Sequence, residues 1–504
     1  MKLFEIIKNI EKSEILETNL DLKNRESSNI EICNMTVNSA DVKVNTMFIC
    51  LVGMKTDGHK YIGEAVEKGA VLIVLEYKPE DFDLLYKNTP YIMVKNTRET
   101  EAKMWAAWYG NPAEHIKIVG ITGTNGKTSV SYMIKQILED AGYKTALFGT
   151  IKYIIGETEY ESKLTTSDPE ELARLFSLAR DAGVEYAVME VSSHALALNK
   201  TAGLGIFDVG VFTNLTQDHL DFHITMENYK QAKAKLFKSC KVGILNADDK
   251  AADDIISSSS SQNYLYSQSK EDADFTAKNI KYLGVNGIEY DFCYLNKNFM
   301  ISSPMSGEFY VANTLAAAVC GMVLGIDGRI ISEAIKKVKI RGRMEKLETD
   351  AFDTPYSVFI DYAHTPDALE NVLKSIRHFS RGRIITLFGC GGDRDRTKRP
   401  LMGKIASENS DFCVITSDNS RTEEPINIIN DIVAGIDDIY KSDYKIIADR
   451  SKAIAYTMDI AQPDDIILLA GKGHEDYINE KGVVQYFSER EKVFEILQNK
   501  KDLR

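Results

Sequence analysis

The sequence predicts an α/β protein of three domains, and two observations support that fold class. A chain of 504 residues is too long for one ordinary hydrophobic core. Short β-rich apolar runs alternate with helical patterns along most of it. Strands that alternate with helices form mainly parallel sheets with right-handed crossovers. We predict a small α/β domain at residues 1–98, a domain with a mainly parallel sheet at 99–338, and a third α/β domain at 339–504.

The composition narrows the class of protein further. A hydrophobic fraction of 44% with 27% charged residues excludes disordered and fibrous chains. The net charge of -13 argues against a broad nucleic-acid-binding surface. Seven cysteines without a C-x-x-C pair are typical of reduced thiols, and the N-terminus lacks the apolar core of a signal peptide. We expect a cytoplasmic protein that neither inserts into membranes nor binds nucleic acid, and we expect a monomer.

The first domain contains three short apolar runs typical of strands, at residues 47–52, 71–75 and 91–94. A helical pattern lies between the first two, around residues 62–68. These elements predict a small α/β unit.

The most informative segment is the phosphate loop, residues 120–129, which reads G-I-T-G-T-N-G-K-T-S. A β-rich run precedes it and an amphipathic helical run follows, so the loop lies at a helix N-terminus, where free N–H groups and the helix dipole bind phosphate. Lys127 would supply a charge for the β- and γ-phosphate oxygens and Thr128 a hydroxyl for Mg2+. The loop predicts a nucleoside-triphosphate site, although Ile121 stands where the generic motif has glycine. The alternative is a glycine turn with an exposed lysine.

Two further segments of the central domain carry candidate metal ligands. Glu190 ends a strand predicted at 186–191, where a second oxygen ligand for Mg2+ would lie. His219 follows a strand predicted at 209–213, and Lys233 lies one helix later. Taken alone, Glu190 could be a solvated side chain and His219 a structural histidine, since Mg2+ prefers oxygen ligands.

The third domain repeats one pattern: an apolar strand, a polar or glycine-rich loop, and a helix. The loops D-Y-A-H-T-P, G-C-G-G-D-R-D, S-D-N-S-R and G-K-G-H-E-D-Y follow strands predicted at 356–360, 384–388, 412–416 and 466–470. All four loops therefore follow the carboxyl ends of strands, which is the edge where open parallel sheets bind ligands. Thr365 as N-cap and Pro366 as first helical residue mark the start of one of the helices.

Nine motifs, taken in order, carry a resemblance to a known family. They read G-T-N-G-K-T, E-V-S-S-H-A-L, T-N-L-T-Q-D-H-L-D, L-N-A-D-D, G-R-M-E, D-Y-A-H-T-P-D-A-L-E, G-C-G-G-D-R-D, R-P-L-M and G-K-G-H-E-D-Y. They span nearly the whole chain and resemble the Mur ligases of peptidoglycan synthesis, most closely the members that add the third residue of the peptide. The resemblance implies an N-terminal uridine-nucleotide domain, a central P-loop ATPase domain and a C-terminal Rossmann-like domain that brings the amino acid.

The resemblance also implies how the central domain binds ATP and Mg2+. Thr128 and Glu190 would hold one Mg2+, and His219 with Lys233 would serve a second. In this family the lysine is carbamylated, which provides an anionic oxygen ligand where an ammonium would be repelled by the dication. Together with Lys127, these residues are the implied catalytic set. The implied ATP contacts are Gly123, Thr124, Asn125, Gly126, Lys127, Thr128, Ser129, Asn313, Arg343 and Asp361.

The implied amino-acid site lies in the third domain. Relatives that add meso-diaminopimelate carry D-N-P-R, whose arginine grips the distal carboxylate, and lysine-adding relatives lack it. Here Arg421 is present, but Ser420 replaces the proline and removes a fixed φ from the loop. A guanidinium pairs bidentately with a carboxylate, and a surface salt bridge is the alternative role for Arg421. The implied contacts are Arg394, Asp418, Asn419, Ser420, Arg421, Gly471 and Glu475.

The uridine-nucleotide site departs most from the family. Where D-S-R is usual, this chain has Asn38-Ser39-Ala40, and Leu164 and Leu198 stand where polar contacts are common. The departures leave open other contacts, weaker binding or a different carrier. The positions that match substrate-binding residues are Ser39, Thr165, Thr166, Ser192 and Lys200, the last in place of an arginine.

The reaction that the resemblance implies is ATP-driven amide formation through an acyl phosphate. Its substrates would be UDP-N-acetylmuramoyl-L-alanyl-D-glutamate and meso-diaminopimelate. Three alternatives remain: the same ligase acting on L-lysine or another diamino acid, a related ligase of the folylpolyglutamate or cyanophycin synthetase kind, and a nucleotide-binding paralogue without turnover. The intact set Lys127, Thr128, Glu190, His219 and Lys233 argues against the last.

Overall fold

A computed structural model describes residues 1–22, 30–53, 56–295, 297–437, 439 and 443–502. Three sheets with flanking helices follow one another along the chain, and a two-stranded hairpin lies near its end. The chain is a three-domain α/β protein, as the sequence predicts. Within the described ranges, no helix is both long enough and apolar enough to cross a membrane.

The N-terminal domain is a five-stranded sheet with three short helices. Its strands are β1 (Ile15–Thr18), β2 (Asn34–Thr36), β3 (Thr46–Ile49), β4 (Ala70–Leu75) and β5 (Tyr91–Val94), and its helices are α1 (Leu3–Ile6), α2 (Ile62–Glu67) and α3 (Phe82–Leu85). The sheet order is β1-β5-β4-β3-β2, parallel except for the β1–β5 pair. Helix α4 (Thr97–Trp108) leads to the central domain, so the predicted limit at 98/99 falls inside it.

The central domain contains an eleven-stranded sheet. Its strands are β6 (Lys117–Thr122), β7 (Thr145–Phe148), β8 (Lys152–Ile155), β9 (Thr158–Glu161), β10 (Tyr186–Glu190), β11 (Phe207–Phe212), β12 (Cys240–Asn246), β13 (Gln262–Ser267), β14 (Phe275–Tyr282), β15 (Ile288–Tyr294) and β16 (Lys297–Ser303). Its helices are α5 (Lys127–Asp140), α6 (Pro169–Asp181), α7 (Ser193–Ala197), α8 (Leu220–His223), α9 (Met226–Lys238), α10 (Ala251–Ser257), α11 (Phe309–Val323) and α12 (Gly328–Lys337).

The middle of this sheet is parallel and its two ends are antiparallel. The order is β16-β15-β14-β13-β12-β11-β6-β10-β7-β8-β9, and the pairs from β7 across to β14 run in parallel. The strands β8, β9, β15 and β16 add antiparallel edges. The carboxyl ends of β6, β10 and β11 are therefore neighbours, which places the phosphate loop, Glu190 and the segment after β11 at one edge.

Two helices that pack on this sheet, α5 and α11, hold the phosphate loop in place. The apolar face of α5, including Val130, Ile134 and Ile137, is completely or almost completely buried. Helix α11 is buried along most of its length and packs against α5. Burial of each such side chain is worth about 1.5–3 kcal/mol, so the helix that begins at the loop is anchored by its own core.

The C-terminal domain has a six-stranded sheet in which the long strands are parallel. Its strands are β17 (Glu345–Lys346), β18 (Ser357–Asp361), β19 (Ile384–Phe388), β20 (Phe412–Ile415), β21 (Tyr444–Ile446) and β22 (Ile466–Ala470), and a separate hairpin is made of β23 (Tyr477–Glu480) and β24 (Val483–Tyr486). Its helices are α13 (Pro366–Arg377), α14 (Lys398–Asn409), α15 (Pro425–Val433), α16 (Arg450–Ile460) and α17 (Glu489–Asp502). The sheet order is β17-β18-β22-β19-β20-β21.

The predicted elements of the third domain are confirmed. Strands β19 and β22 have the predicted bounds, β18 is shifted by one residue, and β20 ends one residue early. Thr365 caps α13 by accepting a hydrogen bond from the amide of Ala368, with Pro366 as first helical residue. All four loops follow parallel strands and meet at one edge of the sheet.

Candidate active site between the central and C-terminal domains

A cleft of about 1220 Å3 lies between the second and third domains. The central domain contributes Thr165 and His219 to its lining. From the C-terminal domain, the lining includes the predicted amino-acid contacts Arg394, Asp418, Asn419, Arg421, Gly471 and Glu475. The structure therefore brings candidate metal and amino-acid residues, far apart in sequence, to one cavity.

The phosphate loop joins β6 to α5, as predicted. Gly126 is the N-cap of α5 and has φ +85°, a conformation that glycine adopts without strain. A Cβ at this position would also overlap the amide of Asn313, which reaches the loop from α11. The glycine thus allows both the turn and the close approach of a predicted ATP contact. Thr124 is hydrogen-bonded to the segment that follows β11, because its hydroxyl accepts a hydrogen bond from the amide of Thr216 at 3.0 Å.

The ammonium of Lys127 folds back over the loop. Its Nζ donates to the carbonyl oxygens of Gly123 and Thr124, both at 2.8 Å. Burial lowers the pKa of Lys127, and the nearby carboxylates of Glu190 and Asp218 oppose that effect. The lysine is therefore held at the mouth of the loop, where it can move from the carbonyls to phosphate oxygens.

Thr128 and Glu190 form a buried oxygen pair at the start of α5. The Thr128 hydroxyl donates to Glu190 Oε2 at 3.0 Å, and both side chains are buried. Thr150 binds the same carboxylate through its amide and its hydroxyl, both at 2.9 Å. The Thr150 hydroxyl also contacts Thr165 at 3.0 Å. This chain connects the proposed Mg2+ ligands to the cleft lining.

His219 and Lys233 lie near Lys127, close enough for its charge to act on both side chains. The His219 side chain is 46% exposed in the cleft, and its backbone φ is +53°. Lys233 is 1% exposed, with Nζ 4.5 Å from the centroid of the Tyr229 ring. Burial and the charge of Lys127 hold the pKa of Lys233 well below its usual value. Two lysines therefore share one region, which disfavours the charged form of Lys233.

Arg343 and Asp361 connect the phosphate loop to the third domain. Arg343 Nη2 donates to the Thr128 hydroxyl at 3.2 Å, and its buried Nε has no hydrogen-bond partner in the part of the chain that the structure describes. Asp361 ends β18 and accepts from the amides of Met344 and Ala363 at 2.6 and 2.7 Å. Burial raises the pKa of Asp361, although Arg343 opposes it. The partnerless Nε is available to an anionic ligand.

The remaining predicted ATP contacts lie around the same loop. Asn125 is held from two sides, because its amide donates to Asn214 Oδ1 at 2.9 Å and its carbonyl accepts from the Thr213 hydroxyl at 2.6 Å. Ser129 is buried in the first turn of α5. These contacts fix the shape of the loop.

At the amino-acid end of the cleft, Asn419 is part of a closed network. Its Nδ2 donates to Glu475 Oε2 at 2.8 Å, and its Oδ1 accepts from the amide of Asn479 at 2.9 Å. Buried Lys472 reaches both Asn419 and Glu475 at 3.4 Å. Burial raises the pKa of Glu475, with Lys472 opposing. Asn419 therefore positions Glu475, whose other oxygen makes none of the side-chain hydrogen bonds among the described residues.

Asp418 is the buried acid of this end of the cleft. Burial disfavours its charge, but Lys472 and Arg450 outweigh burial and lower the pKa of the Asp418 carboxyl. Gly471, with φ +110°, lies so close that a Cβ there would be 3.0 Å from Asp418 Oδ2. The glycine leaves this carboxylate open to the cleft.

Arg421 lines the same cleft from the loop after β20. Its φ is +51°, and the amide and carbonyl of the residue are held by the hairpin through Asn479 and Lys481. Its Nη1 donates to the carbonyl oxygen of Gly392 at 2.8 Å. A Cβ on Gly391 would be 2.9 Å from that Nη1. The glycines of G-C-G-G therefore make room for the guanidinium, while Arg394 is exposed on the same loop.

The predicted uridine-nucleotide residues are only partly brought together: the amide of Ser192 donates to the Thr166 hydroxyl at 2.9 Å, whereas Ser39 lies in the N-terminal domain. Thr165 and Leu164 line the cleft, and Leu164 is 47% exposed. Ser39 belongs to the N-terminal domain, where its hydroxyl donates to Glu64 at 2.7 Å. Lys200 pairs with Asp168 at 2.7 Å. Three other positions have local roles: Thr166 bonds the Glu190 carbonyl, Ser192 caps α7, and Leu198 follows that helix.

Several side chains in and around the candidate site are not predicted from the sequence. Thr150 follows β7, a strand too short to recognise from its pattern. Lys472 and Arg399 lie within the motifs G-K-G-H-E-D-Y and R-P-L-M. Their position in these motifs is the sequence signal that could have identified them. Arg399 is completely buried and binds Glu423 at 2.7 and 3.0 Å. Cys390 is a buried side chain with 3% exposure, and this burial raises the pKa of its thiol to about 12.

Replacing Ser420 by proline is expected to stabilise the C-terminal domain. The Ser420 hydroxyl is buried without a partner, and its amide makes none of the hydrogen bonds among the described residues. Proline removes the unsatisfied hydroxyl and restricts the unfolded chain, which together are worth roughly 1–2 kcal/mol. We expect the unfolding midpoint of the domain to rise by about 2–4 °C per kcal/mol in a thermal scan.

The matched control is Ser420→Ala, which removes the hydroxyl but adds no ring. Its midpoint should lie between those of the natural protein and the proline variant. A proline variant less stable than the alanine variant would show that the loop needs a φ or an amide that proline cannot provide.

Comparison with known families gives three consecutive matches. The Mur ligase family catalytic domain matches residues 31–109, the Mur ligase middle domain residues 121–321, and the Mur ligase glutamate ligase domain residues 342–473. The middle match begins within the phosphate loop, and the last ends within the G-K-G-H-E-D-Y loop. The middle and C-terminal matches include most of the residues that line the cleft.

Full-length relatives agree with these matches. The chain is 42% identical over 499 residues to the UDP-N-acetylmuramoyl-L-alanyl-D-glutamate--2,6-diaminopimelate ligase of Clostridium tetani, covering 99% of each chain. It is 43% identical over 488 residues to the ligase of the same name from Clostridium botulinum, covering 96% of this chain and 99% of the relative. A solved structure of a ligase with that name superimposes with a TM-score of 0.67 at 30% identity, covering 93% of this chain and 95% of the other.

Proposed function

This chain belongs to the Mur ligase family, and we propose from that premise that it joins meso-diaminopimelate to UDP-N-acetylmuramoyl-L-alanyl-D-glutamate in peptidoglycan precursor synthesis. The protein is an ATP-dependent ligase that uses Mg2+. The observation that carries the choice of amino acid is the position of Arg421 in the cleft that also contains His219. A guanidinium there offers a bidentate site for the distal carboxylate that lysine lacks.

The reaction proceeds in two transfers. The carboxylate of the muramoyl dipeptide attacks the γ-phosphorus of ATP, forming an acyl phosphate and releasing ADP. The amine of the incoming amino acid then attacks the acyl carbon, so that the amide forms and phosphate leaves. Little covalent chemistry falls to the protein, which positions the substrates and neutralises developing charge.

The residues around the phosphate loop fit a nucleotide with Mg2+. Thr128 and Glu190 are hard oxygen donors 3.0 Å apart, the ligand type that Mg2+ prefers. Among the described residues no three His, Cys, Asp or Glu side chains are grouped to hold a metal. That pattern suits an ion that completes its shell with phosphate oxygens and water. When bound, Mg2+ supplies charge neutralisation at the phosphates.

Each neighbouring side chain has a proposed role. Lys127 transfers its hydrogen bonds from loop carbonyls to phosphate oxygens, and the free Nε of Arg343 adds a second cationic donor. His219 and a carbamylated Lys233 serve the second Mg2+. Glu475 and Arg421 hold opposite ends of the amino acid. The remaining proposed contacts are Gly123, Thr124, Asn125, Gly126, Ser129, Asn313 and Asp361 for ATP, Arg394, Asp418, Asn419, Ser420 and Gly471 for the amino acid, and Ser39, Thr165, Thr166, Ser192 and Lys200 for the uridine nucleotide.

The domain limits 1–98, 99–338 and 339–504 and a cytoplasmic location are part of the proposal. The cytoplasmic location is supported by the free thiols, since none of the described cysteines is in a disulfide. A ligase that consumes ATP also belongs where ATP is supplied.

A phosphate-release assay tests the function. Purified protein is mixed with ATP, Mg2+ and UDP-N-acetylmuramoyl-L-alanyl-D-glutamate, and meso-diaminopimelate, L-lysine or ornithine is added in separate reactions. We expect diaminopimelate to give the highest kcat/KM, with a product of the mass of the tripeptide. Faster turnover with lysine would select the alternative amino acid. Absence of phosphate release with every diamino acid would overturn the ligase assignment.

A further inference from the structure

One carboxylate joins the phosphate loop directly to the third domain. Asp367 Oδ2 accepts from Asn125 Nδ2 at 2.7 Å and from the Thr216 hydroxyl at 3.0 Å. These partners are 242 and 151 residues distant in sequence, and both belong to the central domain. Asp367 also lines the cleft. We call this pair of hydrogen bonds the α13–loop contact.

The central-domain side of the α13–loop contact is rigid. Asn125 is fixed by Asn214 and Thr213, as described above. Thr216 is fixed as well, because its amide donates to the Thr124 hydroxyl and its carbonyl accepts from it at 3.2 Å. Both donors therefore move with the phosphate loop.

The other side is rigid for a different reason. Asp367 is the second residue of α13, where the helix dipole stabilises a negative charge. Leu369, Val372 and Leu373 bury the apolar face of α13 in the C-terminal core. A shift of Asp367 would therefore shift the helix and the domain that carries it.

We propose that Asp367 is an interdomain positioning residue that holds the amino-acid end of the cleft in register with the phosphate loop. The proposal rests on the ligase reaction above. An acyl phosphate can react with the amine to give amide and phosphate, or with water to give the original carboxylate and phosphate. Correct register favours the amine, because the amine is then the nucleophile nearest to the acyl carbon.

The test is the ratio of phosphate released to amide formed. In the natural enzyme we expect one phosphate for each amide. Asp367→Ala should lower the rate of amide formation about tenfold, since two charge-assisted hydrogen bonds are lost. Phosphate released per amide should rise at least about twofold, because water then competes for the acyl phosphate. If Asp367→Ala lowered phosphate release and amide formation by the same factor, the positioning role would be overturned.

The matched control is Glu370→Ala on the same helix. Glu370 pairs with Lys374 at 2.5 Å within α13, so its loss should leave the ratio at one. Thr216→Val removes one arm of the contact and should give a smaller rise. The double variant of Thr216→Val and Asp367→Ala should be no worse than Asp367→Ala alone, since both changes break one contact. Additive effects would contradict the proposal.

Hydrogen exchange provides a readout that needs no turnover. In the protein alone, Asp367→Ala should accelerate amide exchange in peptides covering both the phosphate loop and the start of α13. Glu370→Ala should leave exchange in the phosphate loop unchanged. Unchanged loop exchange in Asp367→Ala would overturn the proposal, even if no diamino acid supported turnover. Failure of the proposed function and failure of this inference are therefore separate results.

Discussion

Lys233→Ala is expected to lower kcat about a thousandfold, because it removes the proposed ligand of a second Mg2+, whose charge stabilisation would be worth several kcal/mol. The structural basis of this prediction is that two lysine side chains, Lys233 and Lys127, lie close together. Lys233 is buried against the Tyr229 ring, and Lys127 lies close enough to disfavour a second charge. An uncharged amine reacts with CO2 to give a carbamate and a proton, which replaces the cation by an anionic oxygen ligand.

Chemical rescue distinguishes this role from a structural one. A short-chain carboxylate such as acetate should partly restore turnover in Lys233→Ala, because its oxygens can occupy the vacated position. Lys233→Arg should remain inactive, since a guanidinium is not carbamylated. Full activity of the unrescued alanine variant would eliminate the carbamate.

The control for Lys233→Ala lies on the same helix. Lys230 forms surface pairs with Glu227 and Asp254, so Lys230→Ala should leave kcat unchanged. Circular dichroism of Lys233→Ala should match that of the natural protein, because the change removes a side chain and leaves the backbone hydrogen bonds of α9 in place.

The fold was predictable where the signal is local. The phosphate loop and the four loops of the third domain each follow a continuous apolar strand and precede a helix, so a single window of sequence reports them. The edge hairpins β8–β9 and β15–β16 were missed, because antiparallel edges are stabilised by pairing between strands whose own patterns are weak. Strands of three or four residues such as β2 fall below what periodicity can resolve.

The residues of the candidate site were likewise predictable only where the sequence signal is local. The positions of Lys127 and Glu190 follow from strand ends that are neighbours in a parallel sheet. The α13–loop contact does not, because Asn125 and Asp367 meet only after two domains have packed. The contact of Lys472 with Asn419 was also unpredictable, since a lysine in a glycine-rich loop is ordinarily exposed. Only the fold buries Lys472 next to Asn419.

Arg421→Ala is expected to lower kcat/KM for meso-diaminopimelate about a hundredfold, the cost of a bidentate, charge-assisted pair of roughly 2.7 kcal/mol. The loss should appear in KM, because the distal carboxylate is remote from the reacting amine and contributes uniform binding. The guanidinium is already ordered by Gly392 and by the hairpin that holds its backbone. Its binding geometry is therefore prepared before the substrate enters.

L-Lysine provides the decisive comparison for Arg421. It lacks the distal carboxylate, so Arg421→Ala should leave its kcat/KM unchanged or raised, and the preference for diaminopimelate should collapse about a hundredfold. Arg421→Lys keeps the charge but not the planar fork and should recover only part of the loss. If Arg421→Ala raised the KM for ATP and for diaminopimelate equally, the role of Arg421 would be to stabilise the loop. Its hydrogen bond to Gly392 would then be sufficient to explain both increases.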